Sequence, residues 1–277
     1  MEKRTEKECV EIIRPWMPGQ YKIRYALFDF DGTLSLIREG WQDIMIPYFS
    51  EVIRETKTEE SDGEIRKCVR DFVDMLTGKQ TIYQCIQLNE EVVKRGGKNQ
   101  DPIIYKNEYL RRLELRIRSR KEDLASRKAN PDDYMVPGVR YFIDILQRRG
   151  IRCYLASGTD EKDVLYEAKL LGLENTFEGG IHGARDAKVL QCSKELVIRD
   201  MIEREKIRPD ELVSFGDGYV EVELVANLGG LTVGVATNEA SRQGINRWKR
   251  ERLIKAGARI VIPDFRAAEE TADIIGR

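Results

Sequence analysis

Five short, nearly continuous apolar runs constrain this chain more than any other feature: Tyr25–Phe30, Ile151–Ala156, Leu212–Phe215, Leu231–Ala236 and Arg259–Ile262. Each is too short for a helix, and each soon gives way to Gly, Asp, Ser or Asn. Runs that are apolar on both faces are strands of a parallel sheet covered on both sides. The covering helices are visible between them. Val139, Phe142, Ile143 and Leu146 form one stripe that stops at Gly150, and Val164, Leu165, Ala168 and Leu171 form another that stops at Gly172. Strand and helix in alternation, joined by right-handed crossovers, predict a doubly wound α/β domain.

The alternation is broken after the first strand. Roughly 100 residues follow, far more than a strand-to-helix connection needs, with helical periodicity over 41–57, 63–77, 81–95 and 106–128 and no convincing strand. Pro131 and Pro137–Gly138 mark the return to the sheet. The expected organisation is an extension over 1–20, an α/β core made of 21–34 and 136–277, and a helical insert over 35–135.

Charge and cysteine usage exclude several classes. The 277 residues carry 47 Lys+Arg against 48 Asp+Glu, which argues against a dedicated nucleic-acid binder. Residues 94–128 are locally basic, yet Glu108, Arg112, Glu114 and Arg118 at helical spacings read as a solvated helix. No apolar run reaches the length of a membrane span, and the charged amino terminus lacks the apolar stretch of a secretory signal. Five cysteines (Cys9, Cys68, Cys85, Cys153, Cys192) lack zinc-type or C-x-x-C spacing. A cytoplasmic setting is expected. His182 is expected in a hairpin, and Ile245, Trp248 and Leu253 are expected to face the core.

Four stretches carry chemistry. Asp29-Phe30-Asp31-Gly32-Thr33 closes the first strand, where parallel sheets bind ligands. Two carboxylates so close repel unless a cation or a shared proton relieves them. Gly216-Asp217-Gly218 closes the third run, with Glu221 one helical turn on. Oxygen donors of this kind suit Mg²⁺. Ser157-Gly158-Thr159 offers a hydroxyl and free amides for a phosphate. Lys194 opens a helix carrying Leu196, Val197, Met201 and Ile202, where a cation works against the helix dipole and calls for an anion. Lys188, in a loop, is its competitor.

In this order, Asp29-x-Asp31-Gly-Thr, Ser157-Gly158, Lys194 and Gly216-Asp217 with Glu221 resemble the haloacid dehalogenase superfamily, in its branch with a helical cap between the first and second motifs. The 23-residue step from Lys194 to Asp217 is typical of that family and favours Lys194 over Lys188. The resemblance implies a Rossmann-like core with an inserted α-helical cap. It also implies Asp29 as nucleophile and Asp31 as general acid and base. Ser157, Gly158 and Lys194 would hold the phosphoryl group. The metal would be Mg²⁺, bound by Asp29, the Asp31 carbonyl, Asp217 and Glu221. Because dehalogenases lack the second aspartate, Asp31 points to a phosphatase or a phosphomutase. Many capped members follow the Gly-Thr turn with an Asp-Ser pair, where this chain reads Leu34-Ser35 and onward to Arg38 and Trp41; these two lie where the cap leaves the core and are expected to meet the substrate.

The expected activity is therefore Mg²⁺-dependent hydrolysis of a small phosphorylated metabolite, with sugar and polyol phosphates favoured. A phosphomutase is the first alternative, and a non-catalytic binding or regulatory protein of the same fold the second.

Overall fold

The computed structural model describes residues 10–184 and 194–277. Seven strands form one sheet: β1 (Glu11–Ile12), β2 (Tyr25–Phe28), β3 (Arg152–Asp160), β4 (Ile181–Ala184), β5 (Leu212–Gly216), β6 (Leu231–Val235) and β7 (Ile260–Ile262). Their order is β1-β7-β6-β5-β2-β3-β4. Every pairing is parallel except β1 with β7. The five expected strands are all present. β2 stops at Phe28, short of Phe30, so that both aspartates lie beyond the strand.

Two strands escaped the sequence reading because neither is an apolar run. β1 is two residues of the amino-terminal extension laid along the β7 edge. β4 carries His182 and pairs parallel to β3; the residues after Ala184 that could complete the expected hairpin lie outside the described residues. β3 also runs further than its apolar run, through Ser157, Gly158 and Thr159 to Asp160. Its register against β4 shifts between Ala156 and Asp160, which carries the polar half of the strand past the edge of the apolar sheet.

The core has two layers. On one face Phe28 stacks on Phe215 at 4.7 Å between ring centres, and Phe142 on Phe265 at 5.0 Å. Phe142 belongs to α5 (Val139–Arg148), which packs with α10 (Ala268–Ile275). On the other face Leu27 and Tyr154 meet Ile198 and Met201 of α7 (Lys194–Glu205) and Leu224 and Val225 of α8 (Val220–Leu228). Each fully buried Phe of this kind contributes about 1.5–3 kcal/mol. α6 (Glu161–Leu170) buries Val164 and Ala168, but Leu165 is 46% exposed and Glu167 takes the buried position instead. In α9 (Arg247–Lys255), Leu253 is buried while Trp248 is 43% exposed, with the Arg252 guanidinium over its ring.

Four α-helices precede α5 in the chain between β2 and β3: α1 (Gln42–Arg54), α2 (Asp62–Leu76), α3 (Thr81–Lys94) and α4 (Pro102–Ala125). A capping box of Ser61 and Glu64 starts α2. The outgoing and returning chain run side by side. Leu36 N–H donates to the Tyr134 carbonyl at 2.8 Å, and Val136 N–H to the Leu34 carbonyl at 3.0 Å. α4 is amphipathic in an unexpected way. Glu108, Arg111 and Arg112 pair on its outer face, whereas Lys106 is buried and reaches Asp160 at 2.7 Å. No helix among the described residues is long and apolar enough to cross a membrane.

Candidate active site

Adjacent parallel strands end at the same edge of the sheet. The neighbours β5, β2 and β3 therefore deliver Asp217, then Asp29 and Asp31, then Ser157 and Thr159, to one cleft. The turn after β2 is closed by Gly32 at φ +76°, where a Cβ would stand 2.2 Å from Asp217 Oδ2. Only glycine lets the two acidic loops come this close. Asp217 N–H donates to Thr33 Oγ1 at 2.9 Å and locks them together.

Lys194 crosses to the Asp29 side of this turn. Its Nζ lies 2.7 Å from Asp29 Oδ1 and 2.6 Å from Glu221 Oε2, and all three side chains are buried. The dipole cost of a cation in the first turn of α7, about 0.3–1 kcal/mol, is offset by these two carboxylates. Glu195 plays no part in this, being paired with Arg199 at 2.9 Å. Glu221 folds back beneath β5 because Gly216 has no side chain: a Cβ there would sit 1.6 Å from Glu221 Oε1.

Burial pushes the Asp29 carboxyl well above the usual range; Lys194 pulls it down, while Glu221 and Asp217 push it up. Glu221 is likewise raised by burial, with Lys194 opposing. Burial works against the Lys194 ammonium, but Asp29 and Glu221 outweigh it and hold the lysine charged. The group is a crowd of negative oxygens around one buried ammonium, and added positive charge relieves it.

Asp31 is treated differently. Its Oδ2 accepts from Thr159 Oγ1 at 2.7 Å and from Ser157 Oγ at 3.4 Å. Its Oδ1 is enclosed and has no hydrogen-bond partner. The nearest cation is Arg38, whose Nε stops 3.8 Å short of that oxygen. Arg38 is instead gripped by Glu167, with Nε 3.1 and 3.0 Å from the two carboxylate oxygens and Nη2 2.8 Å from Oε1. Burial pushes the Glu167 carboxyl up, and Arg38 beside it pulls it down. The expected direct contact between Arg38 and substrate meets a guanidinium already engaged on one edge. Arg38 and Trp41 both line the cleft, together with the apolar Met45 and Tyr109.

Lys249 is a third buried cation that the sequence reading missed. Its Nζ lies 2.7 Å from Asp217 Oδ2 and 2.6 Å from Glu239 Oε1. Two signals were available. Lys249 falls between Ile245 and Leu253 at steps of four, and Glu167 falls within the stripe of Val164, Ala168 and Leu171. A charge on an apolar stripe of a helix is buried and therefore paired.

Other candidates fall away. Cys85 and Cys153 are thiols that burial pushes up to about 12, unsuited to nucleophilic attack. His182 lies on β4, outside the cleft lining, with Nε2 3.3 Å from the Gly179 carbonyl. Lys188, Cys9 and Cys192 lie outside the described residues.

Among the described residues, no three His, Cys, Asp or Glu side chains are gathered as a metal cage. Mg²⁺ needs less, since one or two carboxylates suffice with water and substrate oxygens completing the shell. The oxygen-only donors at the strand ends are of that type. Glu221 Oε1, buried and without a partner, adds an oxygen that only a cation or a water would satisfy.

Residues 23–229 match the haloacid dehalogenase-like hydrolase family. No curated protein matches the sequence. Among solved structures, the chain is similar to a β-phosphoglucomutase from Clostridium difficile, with a TM-score of 0.60 and 14% identity over 91% of this chain and 97% of that one. A predicted phosphoglycolate phosphatase from Haemophilus somnus gives a TM-score of 0.58 at 14% identity, over 92% of this chain and all of the other. A haloacid dehalogenase-like protein of unknown function from Agrobacterium tumefaciens gives 0.58 at 16% identity, with the same coverage. At these identities the likeness is one of fold.

Proposed function

Because the chain belongs to the haloacid dehalogenase-like hydrolase family, we propose that it is a Mg²⁺-dependent phosphatase of small phosphorylated metabolites, working through a phosphorylated Asp29. The observation that carries this reading is the meeting of Lys194 Nζ with Asp29 Oδ1 at 2.7 Å, beside an Asp31 tethered by Ser157 and Thr159. Four stretches far apart in the chain converge on one nucleophile and one proton carrier.

In the proposed reaction an Asp29 oxygen attacks phosphorus, forming a carboxyl–phosphorus bond as the bond to the leaving oxygen breaks. Asp31 gives that oxygen its proton, then takes one from the water that attacks the phosphorylated Asp29 and frees inorganic phosphate. Ser157 Oγ and the Gly158 amide hold phosphoryl oxygens, and Lys194 balances their charge. Mg²⁺ would be held by Asp29, the Asp31 carbonyl and Asp217, with Glu221 as a further oxygen donor. Once bound, the ion neutralises phosphoryl charge and fixes its orientation.

Helices α1 to α4 act as a cap. The loop after α2 lies over the cleft, and Arg252 of the core donates to the Met75 and Thr77 carbonyls at 3.1 and 2.9 Å. Trp41 and Tyr109 give the wall ring faces and Gln84 gives it an amide, which supports sugar and polyol phosphates as substrates.

A phosphate-release screen over sugar, polyol, nucleotide and carboxylate phosphates tests the proposal. Turnover of sugar or polyol phosphates that vanishes on chelation and returns with Mg²⁺ is expected. No release from any ester with Mg²⁺ present would overturn it, and return of the phosphoryl group to a second sugar hydroxyl would make the enzyme a phosphomutase.

A further inference from the structure

Two polar side chains of the cap have no task in the proposed reaction. Gln84 lies on the buried face of α3 with Cys85, Leu88 and Val92, and Tyr109 lies on that of α4 with Tyr105, Leu113 and Ile117. Gln84 is 4% exposed and Tyr109 3%, and both line the cleft that holds Asp29 and Asp31. Neither the Gln84 amide nor the Tyr109 hydroxyl has a hydrogen-bond partner among the described residues. Buried polar groups are almost always paired, so an unpaired amide and an unpaired hydroxyl in one cleft wall are provision for a ligand. Before substrate enters, water can meet these atoms. Once substrate fills the cleft, only its own polar atoms can.

What the two groups offer defines the partner they lack. An amide both donates and accepts, and so does a phenol. Burial raises the Tyr109 phenol above its ordinary value, with Arg38 opposing and Asp31 adding to the rise, so it stays a neutral hydroxyl. Groups that donate and accept match alcohol hydroxyls, which do the same, whereas a carboxylate or a second phosphate only accepts. The cations near them are placed for other ends. Arg38 is held by Glu167 and Asp163, and Lys79, which also lines the cleft, is exposed to solvent. We propose that Gln84 and Tyr109 are specificity-determining residues that bind hydroxyls of the leaving group, so that the enzyme selects phosphate esters of polyhydroxylated alcohols against their deoxygenated analogues. The idea rests on the phosphatase reading and deepens it. Trp41 and Met45 of the same cleft give the carbon skeleton an apolar surface. An analogue without the hydroxyls buries both polar groups unmet, and a site built for a hydroxyl discriminates strongly against the molecule that lacks it.

The test measures kcat/KM, with Mg²⁺ present, on two pairs of esters matched in skeleton: glycerol 3-phosphate against propyl phosphate, and glucose 6-phosphate against cyclohexylmethyl phosphate. Phosphoglycolate serves as the anionic comparator. In the wild type the hydroxylated member of at least one pair is favoured by about 10²-fold or more. Gln84→Leu and Tyr109→Phe remove hydrogen-bonding atoms with little change of volume, and each lowers that preference about tenfold through loss on the hydroxylated ester. Equal turnover of both members of each pair, a wild-type preference that survives both substitutions, falls of equal size on both members, or phosphoglycolate preferred over all four esters would each overturn the proposal. Hydrolysis of other phosphate esters with none of these four turned over would overturn it too. A wild-type protein that releases phosphate from no ester would instead defeat the phosphatase reading itself. Should one variant fail to fold, the other variant and the wild-type preference still decide.

Discussion

The two aspartates of one turn are furnished in opposite ways. Asp29 is met head-on by a buried ammonium, Lys194 at 2.7 Å, while Asp31 faces a buried guanidinium kept 3.8 Å away by its own carboxylate partner. Both cations are buried and both sit against acidic groups, yet only one is allowed to touch. The contrast matches the roles proposed for the two aspartates. An oxygen that will bond to a phosphoryl group gains from a fixed positive neighbour. A carboxyl that is to carry a proton to and from the substrate gains nothing from a cation at hydrogen-bond distance.

The contrast can be broken first at Asp29. Asp29→Asn keeps the shape of the side chain and removes the attacking oxygen, so turnover should fall by ~10³-fold or more while the melting temperature stays near that of the wild type. Steady-state phosphate release and a thermal melt check it, and appreciable activity in the variant would remove Asp29 as nucleophile.

Lys194→Met comes next. Its kcat should drop on the order of 10²–10³-fold, the scale seen when one charge-stabilising group is lost. Unlike Asp29→Asn, it leaves Asp29 and Glu221 buried without their cation, and breaking a buried pair costs about 3–5 kcal/mol. A denaturant titration should show that loss, and an unchanged midpoint would mean that the carboxylates are relieved by something else.

The smallest change is Arg38→Lys. A compact ammonium cannot bond both Glu167 oxygens in the plane that a guanidinium uses, so kcat on the best substrate should fall only a few-fold, about the 1 kcal/mol that one hydrogen bond is worth. A rise in KM with kcat unchanged would instead mark Arg38 as a substrate contact.

How much of this was legible depends on what each residue's neighbours are. Asp29, Asp31 and Asp217 could be placed from sequence because each follows an apolar run, and parallel strands all end at one edge. Lys194 could be placed at a helix start, and the anion it called for is present as Asp29 and Glu221. The strand containing Ser157 was cut too short, since its apolar run stops before the backbone pairing does. The pairing of β4 with β3 was not legible because Gly179-Gly180 signals a turn without saying which strand the chain then joins. Leu165 and Trp248 were assigned to the core on hydrophobicity alone, whereas α6 and α9 bury Glu167 and Lys249 in preference.

What the amino-acid order determined alone is the pattern: apolar runs that must be covered on both faces, loops of acid and glycine at their ends, and a long helical stretch that the sheet cannot absorb. These follow from local rules of periodicity and turn formation. What only the tertiary structure decided is which charges face one another across 129 residues, as Arg38 and Glu167 do, and at what distance. A buried charge is tolerated by virtue of a partner, and the partner's position is set by how helices settle on the sheet.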